Sequence, residues 1–417
     1  MPVWYTSADI HTGPIDVFSI GDARGKRMAT MPASSKGLEG VVVAETRMSH
    51  VDGSAGELII GGYALEELAG RATYEEACHV LWRLAMDNVA DLPSRAQLDA
   101  LRQEMAAMRA LPPLVHSMVR VAKNAPPMDT LRMSVAALSL DDPNPRDESI
   151  AANLRRAKSL TARVPTIIAA HDRARRGLDP IAPRADLPPA ANFLYMLDGH
   201  DPDPHAARAL DTYWTTVIDH GVNASTFTAR VIASTQSDMV SAVTGAIGAL
   251  KGPLHGGAPG PVLDMLIEIG SVDRAEGWIR EQVAQDKRIM GFGHRVYKVR
   301  DPRADVLRRA VREMNAAGGG DRALFEMATQ VEQIALRVLE ELKPGRNLKT
   351  NVEFYTALVL QSIGLRPDQF SSMFAAGRVG GWTAHILEQL MSNRLIRPAS
   401  EYVGRRGLKY VPIERRG

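Results

Sequence analysis

Ser94-Arg95-Ala96-Gln97-Leu98-Asp99-Ala100-Leu101-Arg102-Gln103-Glu104-Met105-Ala106-Ala107-Met108-Arg109-Ala110-Leu111 decides the fold class. Leu98, Leu101, Met105 and Met108 recur at three or four residues, which puts one apolar stripe on a helix, and Ser94 stands where an N-cap belongs. The neighbouring segments read the same way. Tyr74 to Met86 places Ala77, Leu81 and Leu84 on one face. Ala152 to Arg176 has the same habit, with Pro165 expected to kink or divide it. Pro- and Gly-rich turns, such as Ala110 to Pro113 and Gly177 to Pro189, join the helices. Strand signals are scarce: aromatics make up 5% of the chain. Val/Ile alternation is nearly absent outside Gly37 to Thr46, which reads as a short extended segment. No repeat of 20 to 50 residues is found. The expected fold class is all-α.

Ser241 to Leu250 is an apolar helix of recurring small residues almost without charge. It reads equally as a central core helix or as a subunit interface. Residues 1 to 36 show no sustained period and read as a loosely ordered extension.

Bulk composition narrows the function class. The 417 residues are enough for two domains. A net charge of +2 sets up no global field for nucleic acid or an anionic membrane. Cys78 is the only cysteine, so no intrachain disulfide forms, which suits a reducing cytoplasm. Its surroundings, Glu76-Ala77-Cys78-His79-Val80-Leu81, read as a buried helical position. No apolar run approaches the ~20 residues that span a bilayer. The first residues lack a secretory apolar region, and Asp9, Asp16 and Asp22 argue against a transit peptide.

Two histidines stand among glycines: His255 in Gly252-Pro253-Leu254-His255-Gly256-Gly257, and His294 in Gly291-Phe292-Gly293-His294-Arg295-Val296-Tyr297. Glycine removes side-chain bulk and lets a ligand approach ring and backbone. Taken alone, His255 is as well read as part of a helix-start turn. From Lys287 to Arg303 six basic residues face one acid, Asp301. That suits a phosphorylated ligand, or simply a solvated charged face. The absence of interleaved aromatics argues against nucleic acid. No clustered Cys/His set suggests a metal.

Taken together, six segments resemble the citrate synthase family in order: His220-Gly221-Val222-Asn223-Ala224-Ser225-Thr226; the His255 segment; the His294 segment with Asp301-Pro302-Arg303; Asn351-Val352-Glu353-Phe354-Tyr355; Gly377-Arg378-Val379; and Asn393-Arg394-Leu395-Ile396-Arg397-Pro398. The resemblance runs from about Gly37 to Gly404. It implies a homodimer with a large domain (37–256 with 365–417), a small domain (257–364) and a site in the cleft between them. It implies condensation of acetyl-CoA with oxaloacetate and water to citrate and CoA, with no metal and no cofactor beyond the acyl-CoA co-substrate. His255 would polarise the thioester carbonyl and hydrogen-bond the enolate. His294 would hydrogen-bond the 2-oxo carbonyl and stabilise the alkoxide. His220, Arg303 and Arg378 would hold the oxaloacetate carboxylates, with Arg397 reaching in from the neighbouring subunit. The CoA would lie along Arg288, Ile289, Met290, Gly291 and Gly293, with Lys298, Lys349 and Asn351 nearby. Arginine forks match a dianion. A carboxylate base suffices for a thioester α-proton when a donor meets the developing enolate oxygen.

The chain departs from the family pattern at four positions. Glu353 stands in place of an aspartate, Gly221 in place of a glutamate, Pro259 in place of an asparagine, and Gly61 in place of an arginine. These mark a divergent branch, with the site rebuilt around Glu353 as the base. Use of propionyl-CoA, as in a 2-methylcitrate synthase, and a non-catalytic ligand-binding homologue are the rival readings.

Overall fold

Helix caps set most boundaries. Thr73 accepts from the Glu76 amide while the Glu76 carboxylate returns to the Thr73 amide, a capping box. Ser94 and Gln97 do the same at the helix that fixed the fold class. The computed structural model describes residues 36–38, 40–256 and 259–416. Among them are sixteen α-helices: α1 (Leu65–Leu68), α2 (Tyr74–Asp87), α3 (Arg95–Ala107), α4 (Pro113–Val121), α5 (Pro127–Ala137), α6 (Ile150–Arg175), α7 (Pro189–Asp198), α8 (Pro204–Val217), α9 (Ala224–Ser234), α10 (Met239–Leu250), α11 (Pro259–Ile269), α12 (Val272–Ala284), α13 (Pro302–Ala316), α14 (Arg322–Leu342), α15 (Val352–Ser362) and α16 (Phe370–Met391). The described residues are all-α apart from one small sheet.

Met1–Val43 and Ala44–Gly417 are separate units. The expected loose extension over 1–36 lies almost wholly outside the described residues. In the first unit Lys36–Leu38 is a turn of 3-10 helix. The first two residues of the extended segment expected over Gly37 to Thr46 thus belong to a helical turn, and none of residues 40–46 lies in a strand. Gly37 and Leu38 have φ of +71° and +58°, which bends the chain away from any ladder.

The second unit contains the element that periodicity missed. β1 (Ser49–Asp52), β2 (Glu57–Ile60) and β3 (Tyr63–Ala64) form an antiparallel meander with Ser49 opposite Ile60 and Ile60 opposite Tyr63. Its turns follow local chemistry. Asp52 Oδ1 accepts from the amides of Ser54 and Ala55. Gly61 and Gly62, both at positive φ (+57° and +88°), make a two-residue hairpin loop. A Cβ on Gly61 would lie 2.7 Å from Val80 Cγ1 on α2. An arginine here would therefore force Val80 or α2 to shift, at a backbone φ that already favours glycine.

α16 is the centre of the core. Its Trp382 is fully buried, and Thr383 accepts from Trp82 Nε1 at 2.9 Å. Truncating a side chain such as Trp382 to alanine costs about 3–5 kcal/mol. Three glycines let other elements reach the α16 backbone. A Cβ would lie 2.6 Å from Val217 Cγ2 at Gly377, 2.7 Å from Cys78 Sγ at Gly380, and 2.0 Å from the Ile218 carbonyl oxygen at Gly381. Cys78 is buried in this contact, as a structural position. α6 continues as one helix past Pro165, so the proline does not divide it, and it packs against α16, α7 and α5. α10 buries Ala242, Val243, Ala246, Ile247 and Leu250, so one face is core. Its Gly245 lies close under Ile232 of α9, and Ser241 remains exposed.

Candidate active site

His294 sits in a loop fixed by backbone pairing. Gly291 and Gly293 both have φ of +83°. Between them Phe292 bridges Thr350 antiparallel. Asn351 donates its amide to the Gly291 carbonyl (2.9 Å), and Gly293 donates to the Lys349 carbonyl (2.8 Å). Asn351 Nδ2 adds a bond to the Gly293 carbonyl at 2.8 Å. Gly291, Gly293, Lys349 and Asn351, four positions singled out for CoA, thus form one ladder.

The ladder delivers a chemical result at His294. Its Nδ1 accepts from the amides of Val296 and Tyr297, both at 3.1 Å. These two shorter bonds put the proton of the neutral ring on Nε2, against a longer approach of Arg303 Nη2, itself a donor, to that nitrogen at 3.4 Å. Burial and the neighbouring Arg303 push its pKa down to about 4. At neutral pH His294 is an uncharged donor with its tautomer set by backbone.

Asp301 caps α13 and grips Arg303, which donates through Nε (3.0 Å) and Nη2 (2.8 Å). Both are buried, and Asp301 also accepts from the Val352 amide at 3.1 Å. This contact ties α13 to the start of α15. There Asn351 is the N-cap, accepting from the Glu353 amide at 3.0 Å. Glu353 lies in the first turn of α15, and its carboxylate has no hydrogen-bond partner among the described residues. Burial pushes its pKa up to about 7, with Arg303 opposing the shift.

His220 and Arg378 complete the group. Asp219, fully buried, accepts from Ser49 Oγ and lies 3.1 Å from His385 Nε2. Ser49 Oγ in turn accepts from the Gly221 amide at 2.7 Å. Gly221 has φ of +63°, so a glutamate here would be strained. His220 Nε2 lies 3.2 Å from Tyr297 Oη, and its ring meets His294 edge-on at 5.7 Å. Burial holds it well below the usual histidine pKa. Arg378 is 1% exposed and pushed down to about 10 by burial, still charged at neutral pH. Its Nε donates to the Val217 carbonyl and it stacks over Phe374 at 4.6 Å. Its Nη groups make no hydrogen bond among the described residues.

His255 follows α10 in a turn. The Ser225 amide donates to Nε2 at 3.3 Å, and Ser225 Oγ lies 2.8 Å from the same atom. The Ser225 amide makes Nε2 the accepting nitrogen and leaves the proton of the neutral ring on Nδ1, while Ser225 Oγ donates its own proton to Asn223 Oδ1 at 2.8 Å. Trp382 Nε1 holds Ser225 Oγ from behind at 3.1 Å. Burial and then Arg378 push His255 down to about 4.

Six of the seven catalytic and carboxylate-binding positions thus feel one another through Arg303 and Arg378. The seventh, Arg397, is exposed and touches none of them within its own chain. Among the CoA positions, Arg288 and Lys298 are exposed, and Met290 packs against the core. The Ile289 side chain is buried in the core, which leaves only its backbone for a ligand. Lys298 Nζ donates to the Arg295 carbonyl, and Lys349 pairs with Glu340 at 3.2 Å. Gly257 lies outside the described residues. The sequence reading assigned no role to Asp219, Ser225, Tyr297 or Trp382. Only Asp301 carried a local signal, an Asp-Pro helix start.

A model of the citrate synthase C-terminal domain matches residues 37–399. The chain belongs to the citrate synthase family. It is an enzyme of the citrate synthase type. A citrate synthase of Haloferax volcanii is 41% identical, covering 91% of this chain and 98% of the relative. Citrate synthase 2 of Bacillus subtilis is 42% identical, covering 92% and 99%. A 2-methylcitrate synthase of Mycobacterium tuberculosis is 39% identical, covering 89% and 91%. The citrate synthase of Thermoplasma acidophilum, solved with carboxymethyl coenzyme A and oxaloacetate, superposes with a TM-score of 0.82 at 30% identity, covering 91% of this chain and 99% of that one. Among the described residues no helix is long and apolar enough to cross a membrane.

Proposed function

We propose that this citrate synthase family member condenses acetyl-CoA with oxaloacetate and water, and that Glu353 is its base. The observation that carries this reading is a buried carboxylate with no hydrogen-bond partner among the described residues, grouped with two imidazoles that burial keeps neutral. Glu353 removes a proton from the acyl methyl carbon. The His255 Nδ1–H donates to the thioester oxygen as it becomes an enolate oxygen. The enolate carbon attacks the 2-oxo carbon of oxaloacetate, and the His294 Nε2–H meets the forming alkoxide. Arg378, with both Nη groups open, takes one substrate carboxylate. Arg303 offers what Asp301 leaves free, and His220 lines the same side. Water then cleaves the thioester, releasing citrate and CoA. Closure of a small lobe (257–364) over a large one excludes water until the new bond has formed.

A CoA-release assay with acetyl-, propionyl- and butyryl-CoA tests this, with acetyl-CoA expected to turn over fastest. Faster propionyl-CoA turnover would make the chain a 2-methylcitrate synthase, the reading the Mycobacterium tuberculosis relative favours. One methyl group is worth only ~1–3 kcal/mol of discrimination. Oxaloacetate binding without any CoA release would make it a binding homologue.

The base must be ionised to act. Activity should therefore rise as pH increases through about 7, where Glu353 loses its proton. The histidines, already neutral, add no limb there. A kcat/KM profile flat from pH 5.5 to 8.5 would remove Glu353 from this role.

The exposed position of Arg397 fits a residue that serves a partner's site in a cytoplasmic homodimer. Arg397→Ala should raise the oxaloacetate KM strongly and leave the thermal midpoint unchanged, with the protein a dimer by light scattering. A fully active monomer would refute the shared site.

A further inference from the structure

Away from the catalytic group, α8 and α13 border a cavity of about 250 Å³. Its walls carry three arginines, Arg71, Arg208 and Arg309, against one carboxylate, Glu313. Its floor is apolar and small, including Ala209, Val306 and Ala310. Local carboxylates do not cancel the positive charge. Arg71 pairs with Glu67 at 3.0 Å, but the two side chains are 66% and 57% exposed, so water screens the pair. Arg208 donates to the carbonyls of Gly70 and Arg71, with Asp211 at a looser 3.5 Å. Burial pushes Asp211 up to about 7, so it is only partly charged at neutral pH. Arg309 makes no hydrogen bond or ion pair among the described residues.

Volume narrows the ligand. At roughly 30 Å³ per water, the cavity holds about eight water-sized groups. That suits a compact polyanion such as pyrophosphate or a tricarboxylate and is too small to enclose a whole nucleotide or CoA.

The placement adds a consequence. The two helices run antiparallel: Gly319, just past the end of α13, lies against Asp203 at the start of α8. Their other ends lead to His220 and to Arg303. At 1.5 Å of rise per residue, Arg309 is about 9 Å along α13 from Arg303. An anion held by Arg208 on one helix and Arg309 on the other would fasten together the pair that positions both substrate-binding residues.

We propose that this cavity is a second anion site, taking a compact multivalent phosphate or polycarboxylate, and that its occupancy alters oxaloacetate binding. The second part rests on the reading of His220 and Arg303 as oxaloacetate ligands. The test is calorimetric titration of pyrophosphate, and separately of tricarballylate, into enzyme saturated with oxaloacetate and CoA so that the catalytic positions are filled. One site per chain is expected. Binding should weaken about tenfold or more in Arg309→Glu, the scale of one charge-assisted hydrogen bond. Arg309 is exposed, so basal kcat and the thermal midpoint should be unchanged. Binding of only one probe identifies the phosphate or the carboxylate source. Absence of heat with both probes, or affinity unchanged from the parent in both Arg309→Glu and Arg71→Glu, overturns the site. If binding holds but the anion leaves the oxaloacetate KM unmoved, the coupling is refuted. Failure of oxaloacetate itself to bind would instead refute the functional reading.

Discussion

Glu353→Gln should lower turnover by about 10²–10⁴-fold while oxaloacetate still binds, because glutamine keeps the shape and removes the proton acceptor. The step can be isolated. Exchange of the acyl methyl protons, followed by NMR in D₂O with a non-reacting oxaloacetate analogue, reports enolisation alone. Undiminished exchange in Glu353→Gln would move the search to another carboxylate. Aspartate provides the sharper comparison. The α15 backbone at this point is pinned, since Asn351 is bonded to Gly291 and Gly293 while Val352 is bonded to Asp301. The shorter side chain cannot be met by a backbone shift, and a retreat of about 1 Å costs up to ~10²-fold. Glu353→Asp is therefore expected to be slower than the parent. A faster variant would show that glutamate is an ill-fitting replacement rather than the base this site is built for.

His294→Ala should lower kcat by about 10²–10³-fold, the usual loss for one preorganised donor to a developing oxyanion. Because the donor acts on charge that appears only in the transition state, kcat and kcat/KM should fall together. CoA affinity should scarcely change, since the ladder of Gly291, Gly293 and Asn351 is made of backbone and one amide side chain. Near-normal turnover would reduce His294 to a structural residue in a glycine turn.

The helices were legible because a stripe at three and four residues has one physical meaning, and Ser94 capped the helix it was expected to cap. The sheet was not legible, because strands of two and four residues are too short to alternate. Only their turn residues, Asp52 and the Gly61-Gly62 pair, left a trace. Pro165 did not divide α6, which continues as one helix on both sides of it. At the site, residue identity came from motifs in order, but the chemistry came from space. Ser225 and Trp382 together orient His255 although they are 157 positions apart. The tautomer of His294 rests on two amides that any sequence would supply. The hold of Asp301 on Arg303, which limits what that arginine offers a substrate, looked in the sequence like a lone acid in a basic run.

The close seating of α16 has a consequence for how this protein can vary. Gly377, Gly380 and Gly381 flank Arg378, and each is met by another element where a side chain would begin. In a saturation survey scored on growth or activity, Gly381 should tolerate as little as Glu353, for reasons that have nothing to do with proton transfer. Intolerance along this helix thus overstates the size of the reacting site. It also fixes where diversity can accumulate: this wall cannot drift, so new substrate preferences must arise from the turns that carry Gly221 and His255 and from the start of α15.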